Sequence, residues 1–129
     1  MPFPVDEKQI AFAEGKLGAK FPQTFRDRMM QENGGDVDAA GDTWTLHPFL
    51  DASDKKRLAR TCNDILRETE QARKWRGWPT AALCIGSNGC GDHLVFFVND
   101  RAIGPAVHVW WHETAELQEV AVDFSDLLG

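Results

Sequence analysis

The stretch Ala81-Ala82-Leu83-Cys84-Ile85-Gly86-Ser87-Asn88-Gly89-Cys90-Gly91-Asp92-His93-Leu94-Val95-Phe96-Phe97-Val98 decides how this chain folds, because two apolar runs flank residues built almost wholly from turn formers. It reads as strand, tight Gly-rich turn, strand. Asn88-Gly89 favours a turn that needs positive φ, while Gly86 and Gly91 let the backbone bend where a Cβ would clash. The same turn also carries chemical bait. Cys90 and His93 suggest a nucleophile with its base, and three glycines suggest a phosphate cradle.

Outward from this hairpin the pattern is consistent with strands on one side and helices on the other. Downstream, Ala106 to Trp111 is short and rich in Val and Trp, Leu117 to Val122 reads as a further strand or extended segment, and Phe124 with Leu127 and Leu128 reads as a short closing helix. An antiparallel meander is the simplest connection. Upstream, Ser53 caps a predicted long helix, because Leu58, Cys62, Ile65, Leu66, Thr69 and Ala72 step by three or four, until Gly77 and Pro79 end it. Before it, Gly35 to Asp42 shows no periodicity and reads as an acidic loop, with Trp44 to Leu46 a short strand. Two helices open the chain. Asp6 caps the first, with Ile10, Ala13 and Leu17 on one face and Gly18 as its stop; Pro22 starts the second, which carries Phe25 and Met29 and ends at Asn33-Gly34-Gly35. Helices first and strands later imply an α+β fold, with N-terminal helices and one long central helix packed on a mostly antiparallel sheet.

The chain has 129 residues, enough for one domain over 1–129 that removes roughly two-thirds of its unfolded surface from water. A hydrophobic fraction of 43% and a charged fraction of 26% suit a globular protein, and no apolar stretch approaches the roughly 18 residues of a membrane span. The N-terminus lacks a basic start followed by an apolar run, so no secretory signal is expected and a cytoplasmic location follows. Three cysteines, Cys62, Cys84 and Cys90, form no Cys-x-x-Cys pair, which argues against a disulfide framework or a zinc knuckle. The formal charge of −6 is uneven: residues 53 to 78 carry 8 basic against 4 acidic groups, and residues 79 to 129 carry 1 against 7. Such a chain is a poor nucleic-acid binder, since phosphate contacts need a concentrated positive face. A basic protein partner is favoured instead.

The chemical candidates divide as follows. Cys84 lies mid-strand and is most simply a small core residue, while Cys90 sits in the turn without a catalytic motif around it. A small Cys/His hydrolase built on Cys90 and His93 is the remote reading. Nucleotide binding fails on context, because a strand rather than a helix N-terminus follows the glycines. His108 and His112 on one strand lie about 13 Å apart and cannot chelate one ion, and His47 has no evident companion, so no metal or cofactor is expected. Trp110 and Trp111 must face opposite sides of a strand. Exposed Trp beside Asp or Glu anchors protein interfaces. Asp36, Asp38 and Asp42 fall in a run with no Lys or Arg between Asn33 and Asp54, which suits the steering of a basic partner.

Taken in order, Leu17-Gly18, Phe21-Pro22, Phe25 and Asn33-Gly34-Gly35, then Pro79, Leu83-Cys84-Ile85-Gly86, Asn88-Gly89-Cys90-Gly91-Asp92, Leu94-Val95-Phe96, Trp110-Trp111-His112 and Phe124-Ser125-Asp126-Leu127-Leu128 resemble the SUKH superfamily. That group includes the fungal cell-wall assembly regulator and many bacterial immunity proteins. The resemblance implies an α+β domain without catalytic residues that binds and neutralises a cognate toxin, often a nuclease or deaminase, by protein–protein interaction. A regulatory or scaffold module is the alternative it allows. The surface expected to bind is Asp36, Asp38, Asp42, Trp78, Asp92, Trp110 and Glu113, with acids steering and Trp rings anchoring. Gly86, Asn88, Gly89 and Gly91 are expected to build the turn.

Overall fold

In the computed structural model, which describes residues 3–128, the order is α1 (Glu7–Leu17), α2 (Gln23–Gln31), β1 (Asp36–Ala39), β2 (Asp42–Leu46), α3 (Lys55–Thr61), α4 (Ile65–Ala72), β3 (Ala82–Ser87), β4 (His93–Asn99), β5 (Ala102–Ile103), β6 (Val107–Trp111) and β7 (Glu116–Ala121), closed by a 3-10 turn at Phe124–Leu127. The strands form one antiparallel sheet in the order β1-β2-β3-β4-β6-β7, with β5 appended to β4. The α+β class, the antiparallel meander and the short C-terminal helix are as the sequence pattern implies.

Each sheet face has its own fate. Side chains alternate across a strand, so Trp44, Leu46, Leu83, Ile85, Leu94, Phe96, Val107 and Val109 point to one side. There α1, α2 and the closing turn cover them with Ile10, Ala13, Phe21, Phe25, Met29 and Phe124. Phe25 is the hub of this covered face: its ring meets those of Phe21, Phe49, Phe96 and Phe124 at centroid distances of 4.9–5.9 Å. Buried Asn33 stitches the end of α2 to the segment after β2, donating from Nδ2 to Phe49 O (2.9 Å) and accepting Phe49 N–H at Oδ1 (2.8 Å).

Two expected elements differ. The acidic loop at Gly35 to Asp42 is in fact strand β1 and a hairpin into β2, turned by Ala40 (φ 52°) and Gly41 (φ 74°). Val37 and Ala39 point inward and Asp36 and Asp38 outward, a period-2 pattern that the outward acids disguise. The long central helix is two helices broken at Cys62–Asp64. Asp54, not Ser53, caps α3 by accepting the Arg57 N–H. Asp64 starts α4 anew, accepting the N–H groups of Leu66 and Arg67. The apolar stripe drawn through both segments is therefore not one face, and Leu58 is 42% exposed.

Helix α4 lies where β2 has ended and β3 would present a bare edge. Thr69 Oγ1 accepts the Cys84 N–H (2.9 Å) there, so a side chain replaces the missing strand partner.

Candidate partner-binding face

The second sheet face is only partly covered. Strand register places Asp36, Thr45, Ser87, His93, Trp110 and Leu117 in one row across six strands, each directly opposite the next. The row behind it holds Cys84, Val95, His108 and Glu119. At about 4.8 Å between strands, the acidic end of the first row lies about 19 Å from its indole.

A register shift between Cys84 and Gly86 makes this alignment possible. Gly86 turns toward the covered face, so Cys84 and Ser87, three residues apart, share the open one. A Cβ on Gly86 would stand 3.0 Å from Thr45 O and close on Leu46 and Leu94, which is why the bulge takes a glycine.

Over the middle of the row sits an aromatic stack from the segment after α4. The Trp75 ring stacks on Trp110 (5.8 Å, 19° between planes) and tilts over His93 (4.7 Å). Trp78 meets Trp110 edge-on at 5.1 Å. Ala82, Val95 and Trp110 form the floor, with Trp78, Phe97 and Ala115 packed on it. Trp110 is 3% exposed and Trp75 39% exposed. Trp110 and Trp111 do face opposite sides, Trp111 lying against Trp44 on the covered face. Trp110 thus supports the stack, whereas Trp75 presents an indole to solvent. The expected binding set omits Trp75, which follows the end of α4 in a segment without hydrophobic periodicity.

The acids fall into two groups. Asp36 and Asp38 line the open face of β1, accepting the hydroxyls of Thr45 and Thr43 (3.0 Å each). Asp42, Asn88, Asp92 and His112 form a chain along one end of the sheet. Asn88 Nδ2 donates to Asp42 and to Asp92 (3.1 Å each), and Asp92 Oδ1 accepts both the His112 N–H (3.0 Å) and its Nδ1 (2.6 Å). Burial pulls the Asp92 carboxyl upward, but the bonds from His112 and Asn88 outweigh it and hold it below the usual aspartate range. Asp92 is buried and both of its oxygens are engaged, one by His112 and the other by Asn88. Glu113 lines the shallow recess beside it with Asp92, His112 and Glu116. Between β3 and β4, Gly89 and Gly91 have φ of 80° and 98°, and a Cβ on Gly91 would meet the His112 ring at 3.1 Å, whereas Gly86 lies within β3 at the bulge rather than in the turn.

The structure does not pair Cys90 with His93. Cys90 is exposed and among the described residues only its N–H is bonded, to Asn88 Oδ1 (2.9 Å), while His93 Nδ1 lies 3.3 Å from the sulfur of buried Cys84. Burial raises the Cys84 thiol above its ordinary range, helped by nearby Glu68, which makes it a poor nucleophile. His47 is not without a companion either. One donor atom each from His47, Cys84 and His93 lie within 4.8 Å of one another, a cluster hidden in the sequence because β2, β3 and β4 bring it together. Burial, and then the neighbouring His93, lower His47 to about 4; burial lowers His93 as well.

A family model, the SMI1/KNR4 family (SUKH-1), matches residues 4–129. The chain belongs to this family. Neither a curated protein nor a solved structure matches it. SUKH-1 membership is consistent with an immunity-protein role. Among the described residues no helix of this SUKH-1 chain is long and apolar enough to cross a membrane.

Proposed function

We propose that the chain is a non-catalytic immunity protein that neutralises a cognate toxin domain by binding it with the open sheet face. One observation carries this: an indole held outward by a stack of three Trp rings, on the same sheet face as the exposed Asp36 and Asp38. Trp is the residue type most enriched at energetic hot spots, and its pre-stacked ring loses little freedom on binding. Trp75 and Trp78 supply the anchor over Trp110. Asp36, Asp38, Asp42 and Glu113 supply the field that draws in a toxin with a basic surface, raising the association rate more than the affinity.

The test is co-expression with toxins encoded beside the gene, followed by binding kinetics on the toxin that the chain protects against. Trp75→Ala weakens binding by about 30-fold or more, the size of a hot-spot loss. Charge reversal of Asp36, Asp38 and Asp42 slows association and flattens its salt dependence. Phe12→Ala, at an exposed position in α1 beside a separate groove of ≈ 470 Å³ lined by Leu17, Leu50, Leu66 and Arg67, leaves binding unchanged. Equal killing with and without the chain, for every neighbouring toxin, refutes the proposal.

A further inference from the structure

The buried cluster beneath the Trp stack has a composition that the partner-binding reading does not use. His47 follows the end of β2, Cys84 lies in β3 and His93 opens β4, and strand pairing gathers their donor atoms within 4.8 Å of one another. Two imidazoles and a thiol are the donor types that bind borderline divalent cations. Their spacing fits as well. In a tetrahedral site with metal–sulfur and metal–nitrogen bonds of about 2.3 and 2.05 Å, sulfur and nitrogen stand about 3.6 Å apart. Cys84 Sγ and His93 Nδ1 are already 3.3 Å apart, and the third donor lies within 4.8 Å.

A second observation points to a ligand independently. His47 is 8% exposed, and its Nε2 is buried without a hydrogen-bond partner among the described residues. A buried imidazole nitrogen left without a partner is costly, and His47 belongs to the same cluster of donors.

We infer that His47, Cys84 and His93 form a site for a thiophilic divalent cation of the Zn²⁺ class, three protein donors leaving a fourth position exchangeable. On binding, the Cys84 S–H proton leaves to solvent as the sulfur–metal bond forms, and both imidazoles enter neutral. The ion ties the end of β2 to β3 and β4 directly under Trp75, fixing the platform of the aromatic stack.

The test uses the reduced, metal-free chain with Co²⁺ and Zn²⁺ as probes. One equivalent of Co²⁺ gives a thiolate-to-metal charge-transfer band and quenches Trp fluorescence, because Trp75, Trp78 and Trp110 lie 4.7–6.4 Å from His93. Zn²⁺ displaces it at 1:1 stoichiometry. Cys84→Ser and His93→Gln each weaken Zn²⁺ by more than the about 100-fold that loss of an outer-sphere partner costs. The Cys62→Ser/Cys90→Ser protein, in which Cys84 is the only remaining thiol, keeps the band; both replaced residues are exposed, and this variant decides the matter even if Cys84→Ser fails to fold. Absence of the band in that variant, or in the unaltered chain, overturns the inference.

Discussion

The two faces of the sheet share their strands and differ in what the rest of the chain does with them. On the covered face, aliphatic and Phe side chains with Trp44 are sealed by α1, α2 and the closing turn, and Phe25, Phe49, Phe96, Phe124 and Trp44 are wholly buried. On the open face three Trp rings cluster with His93 and Phe97, the cover is a single segment after α4, and polar groups sit between the rings. Phe fills volume without a polar handle. Trp and His combine a flat apolar body with an N–H, and such residues serve where a surface must be both packed and presented. The first face holds the fold; the second has material to spare for recognition.

The largest expected effect tests this contrast. Phe25→Ala empties the hub of the covered face and destabilises by about 3–5 kcal/mol in urea unfolding. Trp75→Ala removes a side chain already 39% exposed and costs no more than about 1 kcal/mol, although it removes the larger ring. Equal losses from the two would show that both faces are structural, and the proposed division of labour would fail.

Asn33 sharpens the contrast from the polar side. Asn33→Leu fits the apolar surroundings but strands both the N–H and the C=O of Phe49, each orphan costing about 1–3 kcal/mol. The same denaturation experiment reads it. On the open face Asp36→Ala, which severs only an exposed bond to Thr45, is expected to leave the midpoint within experimental error.

Much of this was legible in the sequence, and what was missed has common causes. The first two helices, the β3–β4 hairpin and the closing turn follow from local periodicity and from Gly and Pro punctuation. Strand β1 was hidden because its alternate positions are Asp, which reads as loop. The break at Asn63-Asp64 was hidden because Leu58 and Cys62 keep helical spacing with Ile65 and Thr69 while lying on a separate helix. The site suffered most from non-local geometry. Trp75 belongs to no periodic segment, and His47, Cys84 and His93 meet only through cross-strand pairing plus a bulge, which no local pattern encodes.

The turn between β3 and β4 separates two costs that glycine avoids. Gly89→Ala pays for a left-handed φ alone, because a Cβ there meets nothing within 4 Å among the described residues, and about 1 kcal/mol is expected. Gly91→Ala pays the same strain and presses on the His112 ring, so the loss reaches about 2 kcal/mol and the Asp92–His112 contact loosens. Thermal unfolding ranks the two, and NMR shifts of the His112 ring report the local change. If the two glycines prove equivalent, the contact to His112 is not what restricts position 91.

The smallest effect concerns acid. Asp123 caps the closing turn that seats Phe124 in the covered face: its carboxylate accepts the Ser125 N–H (2.9 Å) while Asp126 accepts the Asp123 N–H (3.3 Å). Those bonds from Ser125, backbone first, hold the Asp123 carboxyl below the usual aspartate range, aided by the Thr24 hydroxyl. Because the folded-state value is depressed, the cap's contribution is complete above the ordinary aspartate value of about 3.9 and is lost as pH falls through the folded one. An NMR titration should find Asp123 protonating later than a model aspartate, with the Ser125 amide losing exchange protection in the same acid window. The Trp75 indole resonance, on the other face, should not follow that transition. Were it to move with Asp123, the two faces would be coupled, and the open face could not be altered for binding without disturbing the one that holds the fold.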